Sequence, residues 1–143
     1  MAAAETKETF NCTPEQFFKI AADYEKYPEF LNEVKECKVV KTDGQRKLVE
    51  FHVSLVKTFK YKMWITEEPE KGRIHWTLDS GDVFKTSTGS WDIKEKNGKT
   101  EAQYKVEATF KIFVPGPMAK VLVSVNLPMM MGAYKKRVAE VYG

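Results

Sequence analysis

The sequence is poor in the residues that build disulfide frameworks and metal sites. Its 143 residues include only two cysteines and two histidines. A structural zinc ion usually needs four Cys or His ligands, and small disulfide-stabilised domains use more cysteines than two. Cys12 and Cys37 are therefore predicted to be reduced thiols, which is typical of a cytoplasmic protein.

Long uncharged segments are also missing. The longest nearly uncharged stretch in the C-terminal third lies between Lys120 and Lys135 and is interrupted by Asn126 and Pro128. A helix that spans a bilayer needs roughly 20 apolar residues. The first residues lack the basic and apolar regions of a secretory signal. We therefore expect no transmembrane segment and no secretory leader.

The chain also lacks a large excess of positive or negative charge. The 23 basic and 20 acidic residues leave a net charge of +3, and the two signs alternate along the chain. DNA is therefore not an expected partner. Hydrophobic residues make up 43% of the chain and charged residues 30%, which is typical of a globular protein. We expect one domain over residues 1–143.

The N-terminal region changes from strand to helix. Residues 4–11 are predicted to form an edge strand. Thr13 can then cap a helix, Pro14 suits its first position, and Gln16 occupies the capping-box position. A short helix is therefore predicted over residues 14–22.

Residues 34–114 alternate between apolar and polar side chains, which predicts strands with one apolar face. Turn signals such as Asn97-Gly98 separate these strands, so the sheet should be mostly antiparallel. The predicted apolar face holds Val49, Phe51, Val53, Leu55, Tyr61, Met63, Ile65, Ile74, Trp76, Leu78, Trp91, Ala102, Tyr104, Val106, Ala108, Phe110 and Ile112.

The C-terminal region returns to helical spacing. Apolar residues over 118–142 recur every three or four positions, which predicts one long amphipathic helix that begins at Pro117 or Met118. Pro128 lies inside this span and is predicted to bend the helix, because proline has no backbone donor.

This order of elements, and several segments, resemble the START-like, helix-grip (SRPBCC) superfamily. The similar segments are residues 22–31, 34–39, 84–85, 89–91 and 139–143. The resemblance is to the polyketide cyclase/dehydrase and lipid-transport branch, and within it to the coenzyme Q-binding START proteins and the ribosome-association toxins.

The resemblance implies an α+β helix-grip fold, in which a seven-stranded antiparallel sheet curves around a long C-terminal helix, with two short helices after the first strand. It also implies a cavity for a lipid, quinone or polyketide, with no cofactor. Ser87 departs from the family, which commonly has a bulky apolar residue there.

We expect the cavity to have a volume of at least roughly 300 Å³ and an apolar, adaptable wall, because methionine side chains adjust to irregular ligands. Its mouth is expected near residues 27–31 or 81–84. The predicted ligand-binding residues are Tyr27, Phe30, Leu31, Phe51, Tyr61, Met63, Trp76, Trp91, Tyr104, Phe110, Met118, Leu122, Val125, Met129 and Met130.

The segment from Tyr24 to Leu31 has two interpretations. Pro28 breaks its helical pattern. Tyr27, Phe30 and Leu31 either pack the short helices onto the sheet or form a mouth through which a ligand enters.

No catalytic residue is predicted. His52 and His75, the two side chains with ordinary pKa values near neutrality, fall on the polar side of their strands together with Lys62. No nucleophile elbow, phosphate-binding loop or dinucleotide fingerprint is present. The sequence therefore favours binding or transport of a hydrophobic molecule over catalysis.

Two alternatives stay open. A polyketide aromatase/cyclase would need polar groups in the cavity, and Tyr61, Thr86, Ser87 and Tyr104 are the candidates. A ribosomal partner would favour a basic face, for which residues 135–137 (Lys-Lys-Arg) are the clustered candidate, although such a run is more often a solvated helix face.

Overall fold

The computed structural model describes residues 2–55, 57–111 and 113–143. Its strands form one seven-stranded antiparallel sheet in the order β1-β7-β6-β5-β4-β3-β2. This confirms the predicted α+β fold, in which a curved sheet grips the C-terminal helical region. The strands are β1 (Ala2–Phe10), β2 (Val34–Asp43), β3 (Arg46–Ser54), β4 (Thr58–Glu68), β5 (Arg73–Gly81), β6 (Phe84–Lys96) and β7 (Lys99–Phe110).

The sheet is built from hairpins, and the tightest one joins β6 to β7. Asn97 and Gly98 both have positive φ, 54° and 80°, as a two-residue turn of this twist requires. The register then runs from Lys96 opposite Lys99 to Phe84 opposite Phe110. The prediction extended β7 to Ile112, which lies outside the described residues.

The predicted strand faces agree with the observed burial. On β3, Val49, Phe51 and Val53 are buried, and their neighbours along the strand are only half-buried. His52 and His75 lie on the other face, where they approach Glu36 and Glu68 at 3.4 and 3.3 Å. The alternation therefore separates an apolar concave face from a charged convex one.

The helix α1 (Pro14–Ala21) begins where the capping residues predict. The Gln16 amide donates to the Thr13 hydroxyl oxygen at 3.1 Å, and the Thr13 amide donates to the Gln16 side chain at 3.0 Å. Phe17 and Ile20 are buried beneath the helix, so this reciprocal cap fixes the helix over one part of the concave face.

A 3₁₀ helix at Tyr24–Glu29 follows α1 and contains Pro28. Tyr24 and Tyr27 are buried, and the Tyr27 hydroxyl donates to the Ala21 carbonyl oxygen. The segment is therefore tied to the end of α1 through its side chains.

The C-terminal region departs from the prediction of one helix that bends at Pro128. It consists of α2 (Gly116–Lys120), a π-helical turn at Val121–Val125 and α3 (Leu127–Tyr142). Pro128 lies in the first turn of α3. Backbone N–H groups in the first turn have no acceptor within the helix, so the missing N–H of proline costs little there. The irregularity lies upstream of Pro128, in the π-helical turn, and the helical region begins at Gly116.

Among the described residues, no helix has the length and apolar character needed to cross a membrane.

Candidate ligand cavity

A cavity of about 180 Å³ lies between the concave face of the sheet and the C-terminal helical region. Its wall is formed by 24 residues from the 3₁₀ helix, strands β2 to β7, the π-helical turn, α3 and the segments that connect them. Ten of these residues carry aromatic rings. The observed volume is below the 300 Å³ expected from the sequence, because the aromatic side chains extend into the space that the sheet encloses.

Ten of the fifteen predicted ligand-binding residues line this cavity. The strands contribute most of them, which follows from the correct assignment of the strand faces. They are Tyr27, Leu31, Phe51, Tyr61, Met63, Trp76, Trp91, Tyr104, Leu122 and Met130.

The other five predicted residues lie outside the cavity wall. Phe30 packs on Tyr134 at 5.2 Å between ring centroids, and Phe110 packs behind Phe84 at 5.3 Å. The remaining three belong to the C-terminal helical region and do not line the cavity: Met118 is half-buried, and the side chains of Val125 and Met129 are 62% and 67% exposed.

The π-helical turn explains the error at Val125 and Met129. A π turn contains about one residue more than an α-helical turn, so every later side chain rotates to the next position around the axis. Helical spacing from Leu122 leads to Val125 and Met129 in a regular helix. In the structure Asn126 and Met130 line the cavity, so Met130 of the predicted pair Met129 and Met130 belongs to the wall and Met129 does not.

An aromatic cluster forms the deep wall. The rings of Phe51 and Tyr61 stack with centroids 5.0 Å apart, and Phe84 meets Tyr61 edge-on at 5.3 Å. On the other side Tyr104 contacts Trp91 at 4.9 Å and Trp76 at 5.6 Å. Such rings form a surface suited to stacking with planar, unsaturated molecules.

Gly89 makes room for one of these rings. It lies opposite Trp76 in the β5–β6 pair, and a Cβ at position 89 would stand 2.4 Å from the indole. Only glycine leaves the space for the Trp76 ring to lie flat against β6.

Three hydroxyls give the cavity a polar element. They belong to Tyr61, Ser87 and Tyr104, which line it. Burial raises the pKa of both tyrosine hydroxyls, so they stay protonated and act as hydrogen-bond donors. Thr86, a further polar candidate from the sequence, is exposed and bonds Thr109 at 2.6 Å away from the cavity.

Two further tyrosines line the cavity but are already engaged. The Tyr24 hydroxyl donates to the Glu67 carboxylate at 2.7 Å, and Glu67 is paired with Lys47 at 3.0 Å. Tyr27 is bonded to the Ala21 carbonyl. Burial raises the pKa of both hydroxyls, and their hydrogen bonds hold the 3₁₀ helix rather than a ligand.

Fourteen of the 24 lining residues are not among the predicted ligand-binding residues, and three of these are Glu33, Asn126 and Tyr134. Tyr134 lies on the apolar face of the predicted helix, so the helical spacing could have identified it. Asn126 could not be found from the sequence, because its direction depends on the π-helical turn. Glu33 stands in the turn before β2, where no periodicity applies.

The remaining chemistry lies away from the cavity. Cys12 and Cys37 are free thiols, and burial raises the pKa of Cys37 to about 12, which suppresses the reactive thiolate.

Among the described residues no group of three His, Cys, Asp or Glu side chains has metal-binding geometry. Lys135 and Arg137 pair with Glu8 and Glu29 at 2.8 and 2.9 Å, so much of the basic cluster is neutralised.

Residues 11–135 match the polyketide cyclase / dehydrase and lipid transport family. The chain belongs to this family. The match covers most of the described strands and the cavity wall, including every residue that lines the cavity. A search of curated proteins found no significant match.

Solved structures share the fold across nearly the whole chain. A START superfamily protein from Mycobacterium smegmatis is 22% identical, with a TM-score of 0.85, covering 97% of this chain and 98% of its own. The Zhui aromatase/cyclase from Streptomyces sp. R1128 is 12% identical, with a TM-score of 0.72 and coverages of 97% and 87%. A STAR-related lipid transfer protein from Xanthomonas axonopodis is 12% identical, with a TM-score of 0.75 and coverages of 96% and 85%.

Proposed function

We propose that this protein binds or transports a hydrophobic small molecule, an isoprenoid quinone or another lipid, in the cavity between the sheet and the C-terminal helical region. The observation that carries the proposal is the composition of the wall, in which ten of 24 residues are aromatic and one is charged. Burial of an apolar group against such a wall contributes about 25 cal/mol per Å².

Hydroxyls in the cavity wall supply an anchor for the ligand. Tyr61, Ser87 and Tyr104 can each donate a hydrogen bond to a carbonyl or ether oxygen. A ligand with an acceptor oxygen on a planar head group would satisfy these donors. A quinone has this chemistry, and a saturated hydrocarbon does not.

The volume limits how much of a lipid is enclosed. Small-molecule sites usually measure about 300–1,000 Å³, and this cavity measures about 180 Å³. We infer that a ring-sized head group enters and that a long tail leaves between the π-helical turn and the strands. Leu122 and Met130 border that path, and the unbranched, flexible side chain of Met130 can move aside.

A cyclase is the second candidate, because Tyr61, Ser87 and Tyr104 share the cavity with the carboxylate of Glu33. A general base would have to be Glu33, since the tyrosines stay protonated and both histidines lie on the convex face. Incubation with a synthetic poly-β-ketone chain tests this candidate directly: aromatised product that disappears in Glu33→Gln would favour it.

The binding proposal is tested by filling the cavity. Ser87→Leu adds volume inside, and Thr88→Leu adds the same side chain to the exposed face of the same strand. After purification from the native source, solvent extraction and mass spectrometry should find an apolar molecule with the wild type and with Thr88→Leu. Ser87→Leu should lose it while staying folded by circular dichroism. Equal retention in all three proteins would contradict the proposal.

A further inference from the structure

The cavity has an unusual charge content. Of the described residues that line it, Glu33 is the only one with a charged side chain, and no lysine, arginine or histidine is among them. A site built for a carboxylate or phosphate normally supplies a cation or a cluster of amides. The wall of this cavity carries a negative charge, which is opposite to what an anionic ligand requires.

The position of Glu33 is fixed by the strands beside it. Its carbonyl oxygen accepts the Ser54 amide at 2.8 Å, which ties the turn before β2 to the end of β3. Burial is the main cause of the raised pKa values of Tyr61, Tyr104 and Tyr134, and the negative charge of Glu33 adds to it. These tyrosines come from β4, β7 and α3, so the charge is felt across the cavity.

Several carboxylates near the sheet are paired with a basic side chain, and among the described residues Glu33 is not. Glu67 is paired with Lys47 at 3.0 Å, Glu36 with His52 at 3.4 Å, and Glu101 with Lys96 at 3.1 Å. Glu33 has no ion-pair partner within the described residues. Its negative charge is therefore not neutralised by a cation among the described residues that line the cavity.

From this arrangement we propose that the cavity accepts uncharged ligands and that Glu33 is the residue that rejects anionic ones, such as fatty acids, sulfonates and phosphorylated lipids. This inference rests on the proposed binding function and narrows its ligand class. An anionic head group would lie beside a like charge in an apolar surrounding without a cation to pair with, and such a pair is strongly disfavoured. A neutral ligand would meet no such penalty.

Two fluorescent probes test the proposal. N-phenyl-1-naphthylamine is neutral, and 8-anilinonaphthalene-1-sulfonate has the same aromatic skeleton with one sulfonate added. Fluorescence titration of the wild type should give at least tenfold tighter binding of the neutral probe, a difference of about 1.4 kcal/mol. In competition against the bound neutral probe, the uncharged dodecan-1-ol should displace the probe at a lower concentration than the anionic dodecanoate.

Variants at Glu33 and at a control position test whether Glu33 causes the preference for the neutral probe. Glu33→Gln keeps the size of the side chain and removes its charge, so the preference for the neutral probe should shrink severalfold through tighter binding of the sulfonate. Glu33→Lys should reverse the preference. Glu36→Gln, which removes an exposed carboxylate from the convex face, should leave the ratio unchanged.

The outcomes separate this inference from the function on which it rests. If the neutral probe binds the wild type and is lost in Ser87→Leu, the binding function stands. Equal affinity for both probes, or a ratio that Glu33→Gln leaves unchanged, would then overturn the charge selectivity alone. If neither probe enters the cavity, both proposals are overturned.

Discussion

The space between the sheet and the helices contains a packed region and a hollow one. Under α1, Phe10 and Phe17 are about 1% exposed, with ring centroids 4.4 Å apart, and Ile93 and Ala102 complete a dense core. Under the π-helical turn, the same sheet encloses a cavity. Trp91 contacts Phe17 on one side and lines the cavity on the other, so it marks the boundary.

The two regions differ in chemistry as well as in packing. The residues named for the packed region are purely apolar. The hollow region contains five tyrosines, which are Tyr24, Tyr27, Tyr61, Tyr104 and Tyr134. A tyrosine fills space like phenylalanine and also brings a hydroxyl. The comparison indicates that the packed region stabilises the fold, and the hollow region is where the proposed ligand would lie.

The largest predicted effect is alkaline unfolding that is driven by the tyrosines of the hollow region. Burial raises the pKa of all five tyrosines, so above pH 10, their ordinary value, they ionise only in the unfolded chain. Each tyrosine then lowers the free energy of unfolding by about 1.4 kcal/mol per pH unit, and the five together lower it by about 7 kcal/mol per pH unit. Stability is therefore retained below pH 10 and falls as the pH rises further.

Absorbance at 295 nm and circular dichroism at 222 nm, followed together from pH 8 to pH 12, check this prediction. Tyrosinate from the five residues should appear in the same cooperative step as the loss of structure. Their gradual ionisation in a chain that keeps its ellipticity would mean that the cavity admits hydroxide and that the hollow region opens without unfolding.

The second prediction concerns side-chain truncation in each region. Phe17→Ala leaves a void in the packed core and should lower the free energy of unfolding by about 3–5 kcal/mol. Leu122→Ala only enlarges an existing cavity at a half-buried site, so its cost should be about 1–2 kcal/mol. Urea denaturation measures both. Similar losses for the two variants would remove the distinction between a packed and a hollow region.

The third prediction tests the close approach of Trp76 to β6. Gly89→Ala places a methyl group against the indole and should destabilise the protein by about 1–3 kcal/mol, with a shift in tryptophan emission. Gly132→Ala is the matched control, because no atom lies within 4 Å of its new Cβ. There alanine should stabilise α3 by about 1 kcal/mol. A neutral Gly89→Ala would show that the Trp76 ring moves freely.

Sequence reasoning succeeded where a single local rule decides the structure. Strand alternation placed Phe51, Tyr61, Met63, Trp76 and Trp91 on the concave face, because a strand repeats every two residues whatever surrounds it. The Thr13 cap was likewise predictable from residues three positions apart. These rules gave the sheet, its faces and most of the cavity wall.

Sequence reasoning failed where the structure depends on tertiary packing. The π-helical turn has no sequence signature of its own, so the prediction placed Val125 and Met129 in the cavity wall beside Met130 and left out Asn126. Pro128 suggested a bend because its position within the first turn of α3 was not evident. Cavity volume depends on the rotamers of many aromatic rings, which no single segment determines.

The smallest predicted effect tests this one-residue rotation through ligand binding. Met129 and Met130 are adjacent in sequence, but Met129 is 67% exposed and Met130 lines the cavity. Met130→Glu should weaken binding of N-phenyl-1-naphthylamine at least tenfold, about 1.4 kcal/mol, because it buries an unpaired charge. Met129→Glu, and Val125→Arg on the same outer side, should change the affinity less than twofold. All three must first be shown to fold by circular dichroism. If Met129→Glu were the damaging variant, the helical region would follow regular α-helical spacing in solution, and the wall of the hollow region would have to be reassigned by one residue.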